Sequence, residues 1–200
     1  MVRVLLVNNY RDSAESKIGE CLKALRECLP SGEVEVVGYS ELEVDAVLGV
    51  VDAVVLSGSS ASVCQPDTIR DYASVIELIK QADTPILGIC FGHQLIAYTF
   101  GTPSYKGRRI KGERQVEILE PDEIFSCCKA GDKILVSENH MDYVERLPEG
   151  FIHLARSEDC EIEAMKHGKK PIYGVQFHPE RATCDGRMVL KNFFYCVVRG

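Results

Sequence analysis

The chain has 200 residues, 46% of them hydrophobic, and a formal charge of −7. At roughly 100–200 residues per domain, that length predicts a single domain over residues 1–200 with a core of its own. No apolar run reaches the about 18 residues of a membrane span, no charged-then-apolar leader opens the chain, and the acidic balance argues against a nucleic-acid partner.

The expectation is therefore a soluble, cytoplasmic protein. The basic pairs Arg108–Arg109 and Lys169–Lys170 are too short to alter it and read as solvated loop charges. In the first half, strand and helix patterns alternate. Val2–Val7 (VRVLLV) is an apolar run that stops at Asn8–Asn9. From Ser13 to Cys28 the apolar residues Ile18, Cys21, Leu22 and Leu25 fall at helical spacing. Val34–Val37 and Ala53–Leu56 are further strands, the latter ending at Ser57-Gly58-Ser59-Ser60. Thr68–Lys80 reads as a helix with Ile69, Tyr72, Ala73, Ile76 and Ile79 on one face, and Pro85–Ile89 as a strand running into Cys90.

Continuous apolar strands separated by helices predict an α/β fold, an open, mostly parallel twisted sheet with helices on both faces. Ligands of such sheets bind beyond the carboxyl ends of the strands. Asn8–Asn9, Ser57–Ser60 and Cys90 all fall at such ends and share one rim. The second half holds shorter candidate strands, Gln115–Leu119, Lys133–Val136, Phe151–Ala155, Glu161–Met165 and Pro171–Gln176, without long helices between them. These predict antiparallel additions to the same sheet, before a final helix over Arg187–Val198.

The nine cysteines are odd in number, none shows C-x-x-C spacing, and the five histidines are scattered. That pattern fits neither a disulfide framework nor a metal site. Most of these thiols read as small buried hydrophobes, with an internal pair left open. Cys64, just after Ser57–Ser60, is the other cysteine expected near the rim.

Cys90 is different. Gly88-Ile89-Cys90-Phe91-Gly92 has the small-x-nucleophile-x-small pattern of a nucleophile elbow, a strand-to-helix turn too sharp for bulky flanks. A thiol there faces the partial positive charge of a helix N-terminus, which favours thiolate. His93 follows three residues later, but a residue already inside the helix turns away from the elbow, so packing is the expected role. A better base stands at the end of another apolar strand, Gly174-Val175-Gln176-Phe177-His178-Pro179-Glu180. Extended backbone points His178 and Glu180 to the same side, and Pro179 favours that extension. Glu180 can then hold the imidazole as the third member of a triad does. A surface His and Glu on a loop is the plain alternative for this motif in isolation.

GICFGHQ (88–94) together with GVQFHPE (174–180) resembles the class I, triad-type glutamine amidotransferase domain, and the likeness spans nearly the whole chain. It implies hydrolysis of the glutamine side-chain amide through a Cys90 thioester, with His178 moving the proton and Glu180 orienting it. By position it implies an oxyanion hole from the backbone N–H of Phe91 and of Gly58 or Ser59. Gln94 and a loop at His140-Met141-Asp142 are implied as glutamine-binding. The stretches NHMDYVERLPEGF and LARSEDCEIEAMKHGKKPIYGVQFHPE resemble the glutaminase subunit of two-subunit GMP synthases. That resemblance implies an ATP-dependent synthetase partner converting XMP to GMP, with ATP and Mg²⁺ on the partner and no cofactor in this chain, which has no phosphate-binding loop with Lys and Ser/Thr.

Two departures stand out. Ser57-Gly58-Ser59-Ser60 replaces the family's usual Gly-Gly-Pro, and Arg181-Ala182-Thr183-Cys184 replaces its usual continuation after the second motif. Arg181 fits either the pocket edge or an exposed loop. Rival readings are the glutaminase subunit of anthranilate or aminodeoxychorismate synthase, a stand-alone γ-glutamyl hydrolase, and a non-catalytic regulatory subunit.

Overall fold

The computed structural model describes residues 1–11, 15–181 and 184–199. Strands β1 (Arg3–Asn8), β2 (Glu33–Gly38), β3 (Ala53–Leu56) and β4 (Ile86–Ile89) alternate with helices α1 (Glu15–Cys28), α2 (Val44–Val47), α3 (Pro66–Asp71), α4 (Ala73–Gln81) and α5 (Phe91–Thr99). The long strands β5 (Ser104–Ile118) and β6 (Lys133–Val144) follow, then β7 (Phe151–Arg156), β8 (Ala164–His167), β9 (Ile172–Val175) and α6 (Cys184–Asn192), which runs into a π-helical turn, Phe193–Val198.

These strands form one sheet in the order β2-β1-β3-β4-β9-β8-β7-β5-β6. The first five pair in parallel and the remaining four antiparallel, so the α/β sheet predicted from sequence is present with a long antiparallel extension. Side chains alternate across the parallel strands into two cores. Val4, Leu6, Val55, Leu87 and Val175 face α1 and α6 through Leu25, Val189 and Leu190. Leu5, Val7, Val54, Leu56 and Ile86 face α4 and α5 through Val75, Ile79, Leu95 and Ile96. Burial on both faces is why these strands read as unbroken apolar runs.

The structure differs from the sequence reading in several places. The helix expected over Thr68–Lys80 is two, α3 and α4, meeting at Tyr72, whose ring is wholly buried between Tyr39 and Phe91. The strand expected at Lys133–Val136 continues to Val144, so His140, Met141 and Asp142 lie on β6 and not in a loop. Arg108–Arg109 likewise belong to a strand, β5. Of the eight cysteines whose side chains are described, all are unpaired and only Cys21, Cys28, Cys90 and Cys160 are buried; fewer thiols are core-filling than the sequence suggested. Ser13, where the first helix was expected to begin, and Ala182–Thr183 lie outside the described residues.

The elbow is set by two close approaches. A methyl group at Gly88 would lie 2.6 Å from the Gly92 carbonyl carbon, and one at Gly92 would lie 2.6 Å from the Leu56 carbonyl oxygen. Backbone cannot move aside as a flexible side chain can, so α5 reaches β3 and β4 only where both glycines stand. Gly88→Ala and Gly92→Ala are expected to cost about 1–3 kcal/mol or more by overpacking, measured by denaturant unfolding. Gly19→Ala in α1, where nothing lies within 4 Å, is expected to stabilise by about 0.5–1 kcal/mol.

Candidate active site

Cys90 is the only non-glycine residue with positive φ among those described, at φ 52° and ψ −100°. A backbone held there costs roughly 1–3 kcal/mol and persists only where its surroundings enforce it. They do so at both ends: the Cys90 N–H donates to the Val175 carbonyl at 2.8 Å, and its own carbonyl accepts from the Gln94 N–H at 3.1 Å. The thiol is thereby fixed at the strand rim, 5% exposed, immediately ahead of α5. The Phe91 N–H is at the first position of that helix, among those with no intrahelical acceptor.

Beyond β9 the chain folds across the rim, where the His178 N–H donates to the Ser137 carbonyl at 2.8 Å. His178 and Glu180 then meet side by side, Nδ1 to Oε1 at 2.7 Å, both buried. Burial alone would lower the His178 pKa; the Glu180 carboxylate and the Cys90 sulfur override it and push it up to about 10. For Glu180 the balance runs the other way. Burial would raise its carboxyl, but the His178 imidazole holds it below the ordinary carboxylate range. Each partner thus stabilises the other's charge.

Gly58 closes this corner. A methyl group there would sit 3.1 Å from His178 Cε1, 3.3 Å from the Tyr10 hydroxyl and 3.7 Å from Cys90 Cβ. The turn carrying Gly58 is held by Asn9, whose backbone N–H donates to Ser57 Oγ at 2.9 Å and whose side-chain amide donates to the Ser57 carbonyl at 2.7 Å. Ser57 Oγ in turn donates to the Gly58 carbonyl at 3.0 Å. Ser59, in place of the family's rigid flank, accepts the Ala61 N–H on its hydroxyl at 3.0 Å. The serines therefore replace a stiff backbone with side-chain hydrogen bonds.

A cavity of about 500 Å³ opens from Cys90 and His178, bounded by Ser59–Ser62, Gln94, and His140, Met141 and Asp142 of β6. Of the sequence-predicted site residues, Cys90, His178, Ser59, Gln94, His140, Met141 and Asp142 line this cavity, whereas Glu180 lies behind His178, Gly58 approaches His178 and Cys90, and Phe91 opens α5 beside them. Gln94 donates to the Asp142 carbonyl at 2.9 Å and to Gln176 Oε1 at 3.1 Å. Asp142 is tied by its carboxylate to the Ser62 hydroxyl, which joins the Ser57–Cys64 turn to β6. Cys64 is exposed beside this lip, its Sγ 3.2 Å from the Ser104 carbonyl. His93 does not join the site. It is wholly buried against Gly174, and burial pushes its pKa down to about 3, a neutral packing role.

Sequence reasoning missed several cavity residues. Tyr10 and Arg11 follow the Asn8–Asn9 strand end, and that position was the available signal. Burial, with Glu180 and Cys90 adding to it, raises the Tyr10 phenol and keeps it neutral. Lys17, Lys106 and Arg109 also reach the cavity, as does Arg181, so the pocket-edge reading of Arg181 is the one realised. Arg109 is more than a solvated charge: its guanidinium donates to Asn139 Oδ1 at 3.1 Å. So is Lys170, whose ammonium donates to the Lys80 and Ala82 carbonyls and pairs with Asp83.

A strained cysteine at a strand-to-helix elbow thus stands beside a buried His–Glu pair at one end of a cavity. The family model for class I glutamine amidotransferases matches residues 6–197. The chain belongs to the class I glutamine amidotransferase family. Among curated members it is 51% identical over 122 residues to the glutamine-hydrolysing GMP synthase subunit of Methanosarcina acetivorans, a match covering 59% of this chain and 62% of that one. It is 44% identical over 146 residues to the Methanococcoides burtonii protein of the same description, covering 72% of each. The crystal structure of a Thermoplasma acidophilum protein, proposed to be the corresponding GMP synthase subunit, superposes with a TM-score of 0.86 at 29% identity, covering 100% of this chain and 95% of that one.

The electrostatics of the pair can be measured directly. Glu180→Gln removes the main influence that raises His178, so the His178 titration followed by NMR is expected to move down from about 10 by about one unit or more. Cys90→Ala is expected to move it in the same direction, because the sulfur also raises His178.

Proposed function

We propose that this chain is a glutaminase, and that the ammonia it releases serves a partner synthetase converting XMP to GMP. The observation that carries the reading is the convergence of Cys90 with the buried His178–Glu180 pair at one end of a cavity. In this reaction the Cys90 sulfur attacks the glutamine side-chain carbonyl carbon. The C–N bond breaks, ammonia leaves with a proton from His178, and a γ-glutamyl thioester remains on Cys90. Water then adds to the thioester, giving its proton to His178, and glutamate leaves as the thiol re-forms.

The Phe91 N–H and an N–H of Gly58 or Ser59 are assigned to the oxyanion, where losing one donor typically costs about 3–4 kcal/mol of transition-state stabilisation. Gln94 and the His140–Asp142 segment are assigned to the glutamine main-chain groups. The Asp142 carboxylate suits the α-amino group; the basic side chains of Arg11, Lys17, Lys106, Arg109 and Arg181 around the cavity suit the α-carboxylate. All of this operates within one glutaminase unit that needs no cofactor of its own, with ATP and Mg²⁺ acting on the partner. Likeness to the glutamine-hydrolysing GMP synthase subunits supports that choice of partner over an anthranilate or aminodeoxychorismate synthase, a stand-alone hydrolase, or a regulatory role.

The test is glutamate release from glutamine by the purified chain, by itself and with a GMP synthetase partner, ATP, Mg²⁺ and XMP. Release is expected to be slow without the partner and to rise sharply with the full mixture, and Cys90→Ala is expected to abolish it. Release indifferent to the mixture overturns the partner. A glutamyl adduct on the Cys90→Ala protein overturns the nucleophile. Gly58→Ala, which presses on His178 Cε1 at 3.1 Å, is expected to lower kcat by about 10²-fold, the lower end of what a positioned general base contributes.

A further inference from the structure

Behind the cavity wall formed by His140 and Asp142 lie two further polar groups, Glu138 and Glu163, that line no part of the cavity. On β6, Glu138, His140 and Asp142 alternate inward and are all buried. Glu163, at the entry to β8, is buried beside Glu138, each at 1% exposure. His140 Nε2 lies 3.3 Å from Glu138 Oε2, and His140 Nδ1 lies 3.2 Å from the Asp142 carbonyl oxygen. That same carbonyl accepts from Gln94 at 2.9 Å.

Hydrogen-bond logic fixes the protons along this line. A carbonyl only accepts, so His140 Nδ1 must carry the hydrogen. If the imidazole is neutral, Nε2 presents a lone pair to Glu138, and an ionised Glu138 would set acceptor against acceptor. Two ionised carboxylates side by side in the same buried place would repel as well. A proton on Glu138 resolves both conflicts. The electrostatics agree. Burial, with Glu163 adding to it, raises Glu138 well above the ordinary range; burial raises Glu163 to about 7 and lowers His140 to about 4.

We propose that Glu138 is a positioning residue for glutamine: its protonated carboxyl donates to His140 Nε2 and so locks the imidazole that holds the Asp142 backbone in the cavity wall. The ligand's identity rests on the glutaminase reading; the proton arrangement does not. The charged or titratable groups facing this line include Glu163, Arg114 of β5, Tyr143 of β6, His93 of α5, Cys90 at the elbow, Cys160, His178 and Asp159.

The full chain, labelled with ¹⁵N, is read by NMR of the His140 ring nitrogens, assigned with His140→Asn. The expected signature at pH 6–7 is a neutral ring protonated at Nδ1. Glu138→Met, which has no donor, is expected to mix the tautomers, whereas Glu138→Gln, whose amide N–H can donate, keeps Nδ1–H. In a Cys90→Ala background, glutamine affinity measured by calorimetry is expected to fall about tenfold with Glu138→Met and to stay within about twofold with Glu138→Gln.

A parent ring that is protonated at Nε2, or cationic at pH 7, overturns the proposal. So does a folded Glu138→Met protein that binds glutamine like its parent. Should Glu138→Met fail to fold, loss of the Nδ1–H state in Glu138→Gln overturns it and retention supports it. No glutamine binding by the Cys90→Ala chain itself counts against the glutaminase reading instead, and the tautomer measurement still decides the proposal.

Discussion

The closeness of α5 to the strands beneath it is the constraint on which the site depends. Gly92 lies against the Leu56 carbonyl, and Gly88 lies against Gly92, so helix and sheet meet with no side chain between them. That contact forces the turn at Cys90 into positive φ and stands its side chain off the rim. Strain at one residue is the cost of presenting a nucleophile from the edge of a sheet buried on both faces.

The rest of the site is arranged around that fixed point by hydrogen bonds. Asn9 holds the Ser57–Gly58 turn, the Ser137 carbonyl holds the His178 backbone, and the Ser62 hydroxyl joins the turn to Asp142. Tyr72 acts as a post behind them. Its hydroxyl donates to the Asn9 carbonyl, while its ring stacks on Tyr39 at 4.2 Å and tilts against Phe91 at 4.8 Å. One aromatic side chain therefore touches the elbow helix and the support of the Ser57–Gly58 turn, which makes the break between α3 and α4 a working part of the fold.

The parallel half was legible in the sequence because strands buried on both faces must be apolar throughout. The elbow was legible because glycines at 88 and 92, two residues either side of a thiol, suit a turn that no larger side chain could enter. The His178–Glu180 pair could be read from its i, i+2 spacing. The antiparallel half was harder. β5 and β6 are exposed along much of one side, so Ser104–Arg114 reads as polar turn sequence when it is strand. The loop expected at His140 and Asp142 came from the family resemblance, and the alternation that brings Glu138 onto the same face went unseen. Lys106 and Arg109 carry no local signal, and Arg181 only its place directly after Glu180. Only the pairing of β5 with β6 and the return of the chain after β9 bring them to the cavity.

The order of the strands also bears on when the chemistry can first exist. β9 is the last strand in sequence, yet it lies in the middle of the sheet between β4 and β8. Contacts so distant along the chain form late, after their loop-closure entropy has been met. A nascent polypeptide that has emerged only as far as Pro171 holds the thiol but lacks the Val175 carbonyl that anchors it, and lacks His178 and Glu180. Synthesis of the chain thus keeps the Cys90 thiol apart from the His178–Glu180 pair until β9 has threaded into the sheet.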